Sequence, residues 1–137
     1  MKHLLFALLT ILMVLPAMAA EEWKSYFKST EVEVLYRYTD CHDEANGLHQ
    51  QKIILKFVNL QSKAVQISYG KQLTFSNKQA SKPDVHQFTV KLAPNATMQG
   101  DCTTKNNALF IFSKQLNFSS TQLEKFELQN ISVKPAQ

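Results

Sequence analysis

The stretch KIILKFVNLQSKAVQISYGKQLTF, residues 52–75, decides the fold. Residues 53–58 form a nearly continuous apolar run, which is typical of a strand covered on both faces or central in a sheet. The polar residues 59–63 indicate a turn. Residues 65–69 then alternate between apolar and polar, the period of a strand with one face in water. The stretch therefore predicts a β-hairpin around which the other strands pair.

The N-terminal stretch MKHLLFALLTILMVLPAMA, residues 1–19, has the pattern of a secretory signal peptide. Lys2 precedes an apolar core, and the run Ala-Met-Ala at its end supplies the small residues that a signal peptidase accepts. The apolar core is too short for a helix that spans a bilayer. We expect cleavage after Ala19, with Ala20 as the alternative, and a periplasmic or secreted protein.

Residues 20–137 would then remain, which is enough for one domain with a modest hydrophobic core. The full chain has 15 Lys and Arg against 11 Asp and Glu, a formal net charge of +4. Its lysines are spread singly and form no basic run, which argues against nucleic-acid binding. No second apolar stretch could span a bilayer. We expect a monomer with no membrane span.

Alternation and turn residues predict an all-β domain of seven strands at intervals of roughly ten residues. Residues 20–30 are a mixed lead-in, interpreted as a short helical turn or an edge segment. In the last strand the apolar phase slips at Gln129 and Asn130, as it does at a β-bulge. The pattern favours an immunoglobulin-like antiparallel sandwich, with a small closed barrel as the alternative. The strands are expected over residues 31–39, 53–58, 65–75, 86–92, 97–101, 108–114 and 123–133.

The only two cysteines are Cys41 and Cys102. An exported chain with two cysteines most simply forms one disulfide, and two free thiols or a shared metal ion are the alternatives. Successive strands of the predicted sandwich run up and down, so the first, third and fifth loops lie at one end. The cysteines fall in the first and fifth of these loops, and the topology therefore brings them together. Since neither is expected within a strand, the domain differs from a true immunoglobulin domain.

The densest set of reactive side chains is the run CHDE at residues 41–44 together with His49, in a predicted loop over residues 40–50. These residue types bind metal ions, and a Cys–His pair beside a carboxylate is one form of activated nucleophile. However, Cys41 has a disulfide partner, and adjacent residues in a flexible loop rarely point at one centre. We therefore expect no metal ion and no cofactor.

Catalytic signatures are also missing from the sequence. No serine lies in a Gly-x-Ser-x-Gly elbow, and the three glycines form no phosphate-binding loop. We expect no catalytic residues and no enzyme activity.

Three polar loops are expected at the end of the sandwich that holds the disulfide, over residues 40–50, 76–84 and 102–107. Long loops on a rigid scaffold commonly carry recognition. The residues predicted to form a contact surface there are His42, Asp43, Lys78 and Lys105.

Three segments, KFVNLQSKAVQISY, KLAPNATMQGDC and FELQNISVK, resemble uncharacterised small exported proteins of Bacteroidetes-type bacteria. The resemblance implies an immunoglobulin-like sandwich and a place in the cell envelope, and it maps no catalytic residue onto this chain.

Two functions follow from these observations. The first is an exported, non-enzymatic sandwich that binds an unknown protein or envelope component. The alternative is a periplasmic module that handles a small ligand or a metal ion through Cys41, His42 and His49.

Overall fold

The structure, a computed structural model, describes residues 22–77 and 87–137. This part of the chain forms two antiparallel sheets, of five and three strands. The predicted signal peptide lies outside it, as does Lys78. The strands are β1 (Lys24–Lys28), β2 (Val32–Asp43), β3 (Leu48–Asn59), β4 (Val65–Phe75), β5 (Phe88–Leu92), β6 (Thr97–Gln99), β7 (Phe110–Gln115) and β8 (Leu123–Pro135).

The two sheets pack face to face, so the fold is an all-β sandwich rather than the alternative closed barrel. The larger sheet contains β1, β2 and β3 in that order, with β6 and β7 on the far edge of β3. The smaller sheet has the order β5-β4-β8. Within the two described ranges, no helix has the length and apolarity needed to cross a bilayer.

β3 is the central strand of the larger sheet. β2 pairs with one edge of β3 over its whole length, and β6 and β7 pair with two parts of the other edge. Ile53, Ile54 and Leu55 are all fully buried. Because their side chains alternate in direction, both faces of β3 are covered. The interpretation of the apolar run is therefore confirmed.

The predicted hairpin between β3 and β4 is wrong. β4 pairs with β5 and β8 in the smaller sheet, so the chain crosses between the two layers after β3. The buried side chain of Asn59 stabilises this crossing. Its amide nitrogen donates to the carbonyl oxygens of Lys63, at 2.8 Å, and Ala93, at 2.9 Å. Its Oδ1 accepts from the N–H of Gln61 at 3.0 Å. A short polar segment can therefore connect strands of two different sheets as well as the two strands of a hairpin.

The core lies between the inner faces of the two sheets. Tyr69 of β4 is its largest fully buried side chain, and its ring centroid lies 5.5 Å from that of Phe57 and 5.6 Å from that of Phe88. The Tyr69 hydroxyl donates to the carbonyl of Ala108. Burial raises the pKa of Tyr69, so this hydroxyl keeps its proton and remains a donor.

β1 is an edge strand. It lies in the segment for which the sequence indicated either a short helical turn or an edge segment. Tyr26 and Phe27 pack against the core from this edge. The Tyr26 hydroxyl accepts a hydrogen bond from the backbone N–H of Leu128 at 2.8 Å, which joins the edge of the larger sheet to β8 of the smaller one. With β1, the described residues form eight strands instead of the predicted seven.

The predicted β-bulge in β8 is confirmed. The register of β8 against β4 shifts between Ser68 and Gly70, which face Ser132 and Gln129. Asn130 has a φ of 51°, a left-handed conformation that asparagine adopts more readily than most residues. Between these two pairs β8 has one residue more than β4. This extra residue shifts the alternation of apolar and polar side chains along β8.

Between β6 and β7 the chain leaves the larger sheet and returns to the same edge of β3. β6 ends opposite Lys56 and β7 begins opposite Ile54, so residues 100–109 stand opposite Leu55 alone. We call residues 100–109 the excursion. β6 and β7 are therefore one interrupted edge strand.

Gly100 closes the base of the excursion. Its N–H donates to the carbonyl oxygen of Leu55 at 3.1 Å. A Cβ at this position would lie 2.5 Å from the carbonyl oxygen of Leu109, at the other end of the excursion. Only glycine permits this close approach of the backbone.

We expect Gly100→Ala to destabilise the protein by about 2 kcal/mol, because the added methyl group forces the excursion to open. Urea unfolding measures the change. Gly70→Ala is the matched control, since a Cβ there meets only the carbonyl oxygen of Gln129 at 3.9 Å. We expect the control to unfold within about 1 kcal/mol of the wild type. Equal losses in the two variants would contradict this account of Gly100.

Candidate functional site

The predicted loop over residues 40–50 is instead the end of a regular β-hairpin. β2 and β3 stay in register from Val32 opposite Asn59 to Asp43 opposite Leu48. The ends of both strands are polar, but they pair through backbone hydrogen bonds, which need no alternation of apolar and polar side chains. We call the paired residues 40–51 the hairpin arm. The expectation of a flexible loop here is wrong.

The turn of the hairpin arm is fixed by its own side chains. Gly47 has a φ of 62°, which suits glycine. The carboxylate of Asp43 accepts from the side-chain amide of Asn46 at 2.7 Å and from its backbone N–H at 3.2 Å. The side-chain hydrogen bond is the main cause that lowers the pKa of Asp43. Asp43 therefore stays ionised at neutral pH.

Cys41 and Cys102 form a disulfide, with their Cα atoms 5.4 Å apart. The predicted pairing is confirmed, but the topological reason for it is wrong. Cys41 lies within β2, on the face turned away from the core, and Cys102 belongs to the excursion. The disulfide therefore attaches the excursion to the outer face of the larger sheet.

Hydrogen bonds to the sheet and within the excursion order the residues around the disulfide. Lys52 donates from Nζ to the carbonyl oxygen of Cys102 at 3.1 Å. The carboxylate of Asp101 accepts from the N–H of Thr103 at 2.8 Å and from the hydroxyl of Thr104 at 3.0 Å. The hydrogen bonds from Thr103, followed by those from Thr104, lower the pKa of Asp101.

A cleft of about 660 Å³ opens between the hairpin arm and the excursion. We call it the disulfide cleft. It is open to solvent, and both polar and apolar residues line it. Its lining residues are Cys41, His42, Asp43, Glu44, Ala45, Leu48, Gln50, Lys52, Cys102 and Thr103.

The structure brings only part of the predicted contact surface to this cleft. His42 and Asp43 line it. Lys105 is exposed in the same excursion as Cys102 but does not line the cleft. Lys78 and most of the predicted loop 76–84 lie outside the described residues. The contact surface of these four residues therefore stays a prediction, with two of its members at the cleft.

Sequence reasoning missed Leu48 and Lys52 as cleft residues. Leu48 has an exposed fraction of 45%, although it is apolar. An apolar residue in a polar stretch was the available signal for it. Lys52 precedes the apolar run of β3, and its role depends on the position of Cys102, which is distant in sequence.

His42 and His49 face each other directly across the hairpin arm. Their Nδ1 atoms are 2.9 Å apart, and their ring centroids are 5.2 Å apart. A carboxylate oxygen of Glu44 lies 3.8 Å from Nε2 of His49. One ligand atom from each of these three residues lies within 4.8 Å of the others. They are the described residues that could hold a metal ion.

Comparison of the chain with protein-family models, with curated proteins and with solved structures finds no match. The structure alone therefore defines the class: an all-β protein of two antiparallel sheets, with a disulfide and a cleft at the hairpin of β2 and β3.

We expect the double variant Cys41→Ala, Cys102→Ala to lose about 4 kcal/mol of stability, because the disulfide closes a long loop in the unfolded chain. The sequence separation of its cysteines is 61 residues. Urea unfolding measures the loss, and far-ultraviolet circular dichroism should still report a β protein. The wild type without reductant should show no thiol that iodoacetamide can alkylate. Two alkylated cysteines in native protein would contradict the prediction.

Proposed function

We propose that this chain is an exported, non-enzymatic binding module with an immunoglobulin-like sandwich. In this proposal it contacts a protein or another envelope component through the disulfide cleft. The observation that carries the proposal is the construction of the cleft, whose walls are a regular hairpin and an excursion attached to it by a disulfide. Walls that are already ordered need no further ordering when a partner binds.

The surface chemistry of the cleft supports a specific class of contact. Leu48 exposes apolar surface in the cleft, and the carboxylates of Asp43 and Glu44 stand on the same rim. Among the described residues, Lys52 is the one lysine or arginine that lines the cleft, and it already donates to the carbonyl of Cys102. The partner surface that fits carries an apolar side chain with a basic residue beside it.

The state of the polar groups supports recognition rather than catalysis. The sulfur of Cys41 is bonded to Cys102, which removes the thiol that a Cys–His nucleophile would need. The Asp43 carboxylate accepts hydrogen bonds from Asn46 within its own turn. These groups maintain the shape of the cleft.

Export is the second part of the proposal, and the N-terminal pattern Ala-Met-Ala supports it. The disulfide supports it as well, because such bonds persist in oxidising compartments.

We expect the protein recovered from its own cells to begin at Ala20 or Glu21 and to be found in the periplasm or the medium. N-terminal sequencing of each cell fraction is the measurement. Retention of Met1 in the membrane fraction would show an anchor instead.

We expect Leu48→Ser to weaken binding to the partner by at least about 10-fold, since it removes the exposed apolar contact of the cleft. The partner is first identified by cross-linking in envelope extracts, and binding is then measured with purified components. Leu60→Ser is the matched control, because Leu60 has a similar exposed fraction, 43%, but does not line the cleft. Loss of binding in the Leu60 variant alone would place the contact elsewhere.

A further inference from the structure

The inner face of the hairpin arm changes from apolar to polar beyond the core. Tyr38 and Ile53 are the last apolar pair on this face, and Tyr38 is already 42% exposed. The next pair along the arm is Asp40 and Gln51, which share a hydrogen bond of 3.0 Å from the Gln51 amide to the Asp40 carboxylate. His42 and His49 follow. The histidine pair therefore stands on a regular, solvent-accessible strand surface.

The geometry of this pair points to a ligand, and we propose that His42, His49 and Glu44 bind one divalent transition-metal ion, copper(II) in preference to zinc. Two nitrogens 2.9 Å apart that each bind an ion at about 2.0 Å subtend roughly 90° at the metal. This is the angle between neighbouring ligands in the square-planar or tetragonal sites of copper(II) and nickel(II). A tetrahedral zinc site needs about 109°, which requires the two nitrogens to lie roughly 3.3 Å apart.

Backbone pairing holds the two imidazoles in this relation. His42 and His49 are directly opposite in an antiparallel ladder, where opposite Cβ atoms lie about 5 Å apart. The Asp43–Asn46 hydrogen bonds fix the turn next to them. The first two ligands are therefore positioned before the metal arrives.

Glu44 supplies the third ligand. It opens the turn, and its carboxylate already lies near the histidine rings with 82% of its side chain exposed. The neighbouring Asp43 is less suited, because its carboxylate accepts hydrogen bonds from Asn46. The remaining coordination positions face solvent and take water.

Metal binding replaces an internal hydrogen bond. In the metal-free protein one Nδ1 donates a proton to the other. When the ion binds, that imidazole takes the tautomer with its proton on Nε2, and the ion takes the lone pairs of both Nδ1 atoms. The first-row affinity order, in which copper(II) exceeds both nickel(II) and zinc(II), favours the same ion as the angle does.

This inference goes beyond the proposed binding function and does not depend on it. The probe is copper(II) chloride alone, so failure of the metal site would leave the partner experiment unaffected. Residues 20–137, prepared without a histidine tag, are titrated at pH 7.5 in a weakly coordinating buffer.

We expect one copper(II) ion per chain, with an electron paramagnetic resonance spectrum that shows coupling to two imidazole nitrogens. His42→Gln and His49→Gln should each weaken binding at least roughly 100-fold, since loss of a ligand exceeds the effect of losing an outer partner. Zinc(II) should bind more weakly than copper(II) to the wild type.

The control is His86→Gln, which changes the other histidine of residues 20–137 and should leave copper affinity unaltered. In the unmodified protein, copper(II) should broaden the amide resonances of the hairpin arm first, a readout that needs no variant. Copper binding that survives the double variant His42→Gln, His49→Gln would overturn the site, as would broadening centred elsewhere. Zinc(II) affinity equal to that of copper(II) would overturn the metal assignment.

Discussion

The burial of β3 on both faces is the constraint on which the other parts of the structure depend. Ile53 and Leu55 belong to the core between the sheets, and Ile54 is fully buried on the opposite face. Burial of an isoleucine side chain contributes about 2 kcal/mol, so exposure of the outer face would cost a large part of a marginal stability. A two-layer sandwich covers only one face of a strand. The outer face of β3 therefore requires a separate cover.

The excursion and Trp23 lie on that outer face. Lys52 and Lys56 flank Ile54 on the outer face of β3. Lys52 donates a hydrogen bond to the carbonyl of Cys102, and Nζ of Lys56 lies 4.2 Å from the ring centroid of Trp23. The disulfide then keeps the excursion against β2. The disulfide cleft forms where this cover ends and the hairpin arm continues, so the position of the candidate site follows from the need to cover β3.

The sequence could predict those features whose signal is local. The apolar run of β3 and the bulge at Asn130 both depend on neighbouring residues, and both are present. The partner of each strand is not a local property. Residues 59–63 look like a hairpin turn, yet β4 cannot pair with β3, because both edges of β3 are occupied by β2, β6 and β7. The disulfide was predictable from the cysteine count, but the excursion that carries Cys102 was not.

The candidate metal site is a second feature that depends on strand pairing and not on local sequence alone. The residues of the run at 41–44 and His49 were recognisable as ligand types, but adjacent residues of a loop do not converge. Adjacent residues of a strand do not converge either, since their side chains point to opposite faces. What brings His42 and His49 together is the pairing of two polar strand ends, with Asn46 and Gly47 in the turn that sets the register. Because the hairpin arm extends beyond the core, side chains there can change without disturbing the sandwich. Its inner face is thus free to carry a ligand that the fold itself does not need.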